Sequence, residues 1–102
     1  MSFEFDNSKN KYHLLQSLVQ EIKENSRIKY NHKLIDIMLK AYIHSGLIFN
    51  FDLDTQLKLT RLYDNIQLYN RAVEHDKLPN SETFDLLQKS FNSLAETLKG
   101  IT

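Results

Sequence analysis

Apolar residues recur along this chain at steps of three and four, the spacing that places them on one side of an α-helix. Leu15, Leu18, Val19 and Ile22 make the first stripe, inside a segment of about residues 8–30, with Lys11, Gln16, Gln20, Glu21, Lys23 and Glu24 around it. Asn7 or Ser8 is placed to cap its start. A second stripe of Leu34, Ile35, Met38, Leu39 and Tyr42 predicts a helix over 31–45 that stops at Gly46, where a left-handed C-terminal cap favours glycine. Neither glycine nor proline separates these two segments, so one long kinked helix is the alternative.

A third stripe, Leu59, Leu62, Ile66, Tyr69 and Val73, predicts a helix over 53–76. Leu57, Tyr63 and Leu68 widen its apolar surface beyond one seam, as for a helix with more than one neighbour. Asp52 is placed to cap it and Asp54 to favour the positive end of its dipole. Pro79 and Asn80 break the pattern, Ser81 is a candidate cap, and Phe84, Leu87, Phe91, Leu94 and Leu98 carry the rhythm over 82–99 to Gly100.

Four amphipathic segments with short connections predict an all-α fold, an antiparallel bundle of about four helices forming one domain over 1–102. The helical period breaks only at 46–51, where Leu47, Phe49 and Phe51 alternate with Ile48 and Asn50. That alternation predicts an extended aromatic connector closing one end of the bundle, with Phe3-Glu4-Phe5 as its only candidate strand partner.

The bulk numbers bound the function. At 102 residues, with 41% hydrophobic and 25% charged side chains, the chain has the composition of one folded domain. Thirteen basic and thirteen acidic residues cancel, so no overall field draws it to polyanions. Cysteine is absent, which removes disulfides and thiolate chemistry. No apolar run approaches the ~20 residues that span a bilayer, and the N-terminus lacks the pattern of a signal peptide, so a cytoplasmic setting is the default.

The stretch LIFNFDLDTQL, Leu47 to Leu57, resembles the first motif of the haloacid-dehalogenase-type phosphatases, with Asp52 as nucleophile and Asp54 as acid/base. That motif places its threonine two residues after the second aspartate; here Thr55 follows Asp54 directly and Gln56 stands in the threonine's place. The later strands such an enzyme needs are replaced by helical patterns, so helix capping by Asp52 is the better reading and no catalytic residue is assigned. His13, His32, His44 and His75 have no second histidine three or four residues away, so no metal or cofactor site is expected. His32 with Asp36, and Glu74 with Lys77, have the spacing of surface pairs.

Residues 9–40 carry seven basic and three acidic side chains, but they do not gather on one helical face. The turn His44-Ser45-Gly46 resembles that of a helix-turn-helix, yet the following helix is acidic at its entry. Nucleic-acid binding by a small helical regulator is therefore the disfavoured alternative.

Glu21-Ile22-x-x-Asn25, Ala41-Tyr42-x-x-Ser45-Gly46 and Leu62-Tyr63-x-x-Ile66-x-x-Tyr69-Asn70 resemble a soluble helical domain of small prokaryotic, often archaeal, proteins of unknown function. The resemblance spans about residues 15–71. Members commonly carry an N-terminal membrane anchor, so it implies either a free-standing relative or the soluble domain of an anchored protein, and it supplies no activity. Asn25 and Asn70 are expected to fasten helix surfaces or the connector through side-chain hydrogen bonds to backbone. The resulting expectation is a non-catalytic interaction or scaffold module, binding a protein partner or itself, with Tyr42, Phe49, Phe51 and Tyr63 as its candidate contact patch.

Overall fold

A computed structural model describes the backbone of residues 3–101 and the side chains of residues 11–101. The described chain is all-helical: α1 is Phe3–Asn25, α2 is Ile37–Ser45, a short 3-10 turn covers Leu47–Asn50, α3 is Leu53–Glu74 and α4 is Ser81–Lys99. Each helix packs on two others in the cyclic order α1, α2, α3, α4, leaving α1 diagonal to α3 and α2 diagonal to α4. Neighbours run antiparallel. Glu21 meets Met38 and Leu39 while Lys11 and Leu15 lie beside Tyr42, and Asp36 meets Gln67 while His44 meets Tyr63. Likewise Tyr69 packs on Phe84, and Asn25 accepts from Gln88.

The predicted stripes supply the core, apart from Ile35, which is exposed. Leu18 and Ile22 of α1, Leu39 and Tyr42 of α2, Leu59, Leu62 and Ile66 of α3, and Leu87, Phe91, Leu94 and Leu98 of α4 are all buried. Burying each large side chain stabilises by roughly 1.5–3 kcal/mol against leaving it in water. No described helix is long and apolar enough to cross a membrane.

Helix ends depart from the sequence pattern in ways that have local causes. The backbone of α1 is already helical from Phe3, so Asn7 and Ser8 do not cap it and Phe3-Glu4-Phe5 is not a strand; the side chains of these residues lie outside those described. At its other end α1 stops at Asn25, five residues before the expected limit. Ser26 donates its hydroxyl to Lys23 O at 2.6 Å, and the following Ile28, Tyr30, Asn31 and His32 are all indifferent helix formers. Asn31 then takes φ 68°, a left-handed conformation that asparagine tolerates better than most residues. Residues 26–36 are consequently an irregular segment, α2 is only nine residues long, and His32 and Asp36 are not a turn apart on a helix.

The connector is also not extended. Gly46 adopts φ 84° as the C-cap of α2, and Phe49 N–H donates to Gly46 O at 3.0 Å, winding the chain into a 3-10 turn. With three residues per turn, Ile48 and Phe51 point inward together. Ile48 is buried and Phe51 half-buried, whereas Phe49 is 75% exposed. Asp52 caps α3, accepting from Thr55 N–H at 3.3 Å. Asn80 rather than Ser81 caps α4, its Oδ1 accepting from Glu82 N–H and Thr83 N–H. The C-terminus of α3 closes with Lys77 N–H on Ala72 O and Asp76 N–H on Val73 O, the paired bonds of a Schellman cap, with Asp76 at φ 54°.

Candidate contact surfaces

The buried polar side chains are the first place to look for chemistry, and three of them hold backbone instead. Asn25 Nδ2 donates to Ile35 O at 2.8 Å while Ile35 N–H donates to Asn25 Oδ1 at 2.7 Å. Asn70 does the same to the adjoining residue: Nδ2 to Leu34 O at 2.9 Å, and Leu34 N–H to Oδ1 at 2.7 Å. The two successive residues turn their amide and carbonyl to opposite helices. Leu34 is therefore read by α3 and Ile35 by α1, each asparagine standing in for the peptide group of a neighbouring strand. Side-chain bonds to backbone are expected of Asn25 and Asn70, but to helix surfaces or the 46–51 connector; here they hold the 26–36 segment instead.

Glu21 is 7% exposed and has no cationic partner among the ion pairs of the described residues. Its two oxygens accept from Met38 N–H at 2.8 Å and Leu39 N–H at 3.0 Å. Asp36, the residue at the N-cap of α2, makes no capping bond itself. Glu21 thus caps α2 from α1, satisfying free amides at the positive end of the helix. Tyr69 accepts from Asn31 N–H at 2.7 Å, and burial pushes its phenol pKa up. Tyr30 donates to Pro79 O and packs edge-on against Phe84, closing that end of the bundle. Glu74 pairs with Lys33 of the segment rather than with Lys77. Asn25, Tyr69 and Asn70 are thus occupied in holding the 26–36 segment, and Glu21 in capping α2.

The paired aspartates are occupied as well. Hydrogen bonds from the Thr55 side chain, and then from its amide, hold the Asp52 carboxyl below its ordinary value. Asp54 pairs with Lys58 at 3.0 Å. Among the described residues, no three of the histidines and carboxylates converge as metal ligands would.

Of the four aromatic residues expected to form a contact patch, Tyr42 is 4% exposed and stacks on Phe51 with centroids 5.8 Å apart and planes 17° apart. Its burial raises its pKa. Tyr63 is half-buried on the seam between α2 and α3, edge-on to His44 at 6.3 Å. Only Phe49 stands clear of the bundle. Beside the Tyr42–Phe51 stack, a depression of about 130 Å³ is lined by Lys11, Leu15, Leu47 and Ile101. The aromatics therefore close the end of the bundle, and the surface they offer narrows to Phe49 and the rim of this depression.

A larger apolar exposure lies on α3. Leu53, Leu57 and Leu68 are 70%, 49% and 62% exposed. At ~100° per residue, Leu57, Arg61, Asp64 and Leu68 fall within an arc of roughly 60°, centred roughly 150° around the helix from the core stripe. The breadth expected of this helix is thus divided. Tyr63 turns to α2, while Leu57 and Leu68 turn away from every neighbour. Counting apolar residues per turn reveals the breadth; only an angular separation of the two stripes distinguishes a second neighbour from open surface. Next to this face, a groove of about 490 Å³ between α3 and α4 is lined by Lys58, Arg61, Lys89 and the 64%-exposed Leu86. Compared with protein-family models, with curated proteins and with solved structures, the chain matches none.

Proposed function

We propose that this chain is a non-catalytic helical interaction module, a rigid bundle that offers the outer face of α3 to a protein. One observation carries the reading: Leu53, Leu57 and Leu68 sit in water on a helix whose core stripe is already complete without them. Scattered exposed leucines are ordinary, but aligned ones on one rigid helix form the pattern of a helix-face contact. The buried polar groups support it, because Glu21, Asn25 and Asn70 are all spent on backbone.

Isolation of the wild-type chain beside a Leu57→Glu/Leu68→Glu variant tests the reading. A stoichiometric protein partner, a second copy or another chain, should accompany the wild type and be lost from the variant. Equal recovery on both, or none on either, sinks the proposal.

The nucleic-acid alternative draws on one feature, the cations Lys58, Arg61 and Lys89 along the α3/α4 groove. Lys58 is already paired with Asp54, which leaves little to neutralise phosphates. Retention on DNA or RNA that weakens steeply with salt would favour this alternative; no retention at low salt ends it.

A further inference from the structure

The outer face of α3 has a spacing that is the same in both directions. Along it run Leu53, Leu57, Arg61, Asp64, Leu68 and Ala72, at steps of 4, 4, 3, 4 and 4, with Arg71 and Asp54 at the same angular edges as Leu53 and Ala72. The step pattern is a palindrome about a midpoint between Leu62 and Tyr63; across that midpoint leucine repeats as leucine, while arginine stands opposite aspartate. Leu57 and Leu68 lie equally far from that midpoint, as do Arg61 and Asp64, and as do Leu53 and Ala72.

Two copies of a helix related by a two-fold axis perpendicular to the pair run antiparallel, and each residue then meets the one equally far beyond the midpoint. On this face, leucine meets leucine and arginine meets aspartate, twice each. Among the described residues, neither Arg61 nor Asp64 takes part in an ion pair within the chain. Both are exposed. The centre of the face therefore holds a cation and an anion, neither in an ion pair among the described residues, at the two positions where a two-fold partner would present the opposite charge.

We propose that the occupant of this face is a second copy of the same chain, docked α3 against α3 with Leu57 on the partner's Leu68 and Arg61 on the partner's Asp64. This deepens the interaction-module reading and rests on it. Complementary charge at the centre sets the register, because a shift of one helical turn breaks both charge pairs and exposes a leucine at each end. A parallel pairing would place Arg61 on Arg61 and Asp64 on Asp64. Three leucines per copy supply less than the roughly 800 Å² per partner typical of a stable complex, so the association is weak and concentration-dependent. Leu86, on the α4 side of the groove that Arg61 lines, adds apolar area beside the same face.

Sedimentation equilibrium of the full chain, run from about 10 µM to about 1 mM to cover weak association, tests the pairing. The wild type should approach a dimer. Arg61→Asp alone and Asp64→Arg alone should each weaken association by roughly tenfold or more, because symmetry repeats every like-charge contact. The double exchange Arg61→Asp/Asp64→Arg should restore it to near the wild-type level. All four positions of the central seam are solvent-facing, so unchanged helicity and unfolding midpoint of the variants separate loss of pairing from loss of fold. A double exchange as weak as the single ones overturns the pairing. So does a wild type that stays monomeric throughout. A monomeric wild type that still loses a different protein partner on Leu57→Glu/Leu68→Glu would overturn self-pairing alone and leave the interaction reading standing.

Discussion

Asn70 of α3 holds both backbone groups of Leu34, accepting from its amide at 2.7 Å and donating to its carbonyl at 2.9 Å across 36 residues of sequence. The site is buried, so neither group has water to fall back on. Asn70→Ala should therefore strand a donor and an acceptor together and destabilise the fold by about 3 kcal/mol. Urea unfolding measures the loss. A change of only a few tenths would mean that water enters and replaces the amide.

Glu21→Gln probes the cap of α2 from α1. The amide keeps one acceptor but turns an NH₂ toward a backbone N–H, losing one charge-assisted bond, a cost of about 1–2 kcal/mol. The amides of Met38 and Leu39 should lose hydrogen-exchange protection ahead of those in α3 and α4. Uniformly faster exchange along the chain would argue against a local capping role.

Two left-handed positions should respond with opposite signs. An added Cβ at Gly46 would meet nothing closer than Phe49 Cδ2 at 3.7 Å, so space is available and only φ 84° resists. Gly46→Ala should cost about 1 kcal/mol through backbone strain alone. Asp76, at φ 54° in the α3 cap, is already strained, and Asp76→Gly should raise stability by about 0.5–1 kcal/mol. Thermal unfolding checks both; equal signs would refute the backbone account.

Acid stability should follow Asp52 and Glu74. The Thr55 side chain and amide lower the first, and the Lys33 ammonium beside Glu74 lowers the second. Because both folded values are depressed, their contribution is complete above the ordinary values of 3.8 and 4.5 and is lost as pH falls through the lower folded ones. The unfolding midpoint should be flat from neutrality to about pH 5 and drop below about pH 4. Asp52→Asn/Glu74→Gln should flatten that drop while leaving neutral stability nearly unchanged at Asp52, since asparagine is itself a good N-cap. An unaltered acid slope would show that other carboxylates govern it.

The helices that carry their own signals were legible. Asp52 and Gly46 act as the caps their residue types suggest, and the stripes of α3 and α4 lie in the core as spaced. Residues 26–36 were not legible, because Leu34, Ile35, Met38, Leu39 and Tyr42 keep helical spacing while the first two sit in irregular chain before α2. What holds them there is contributed by residues 25 and 70, and no local pattern encodes a bond over that distance. The connector misled for a related reason: alternation over five residues cannot separate a strand from a single 3-10 turn. On the outer face of α3, Leu57 and Leu68 were visible as apolar breadth, but their direction became apparent only when the neighbours of α3 were in place.

The opposed grips on Leu34 and Ile35 have a consequence for the order in which the chain assembles. Asn70 can engage Leu34 only where α3 stands beside the segment that Asn25 of α1 holds at Ile35, so both grips on the 26–36 segment close together only over a docked α1 and α3. A mispaired collapse would leave it hanging open, exposing backbone to water and to proteases. Its closure thus ties α1 and α3 together through two amides.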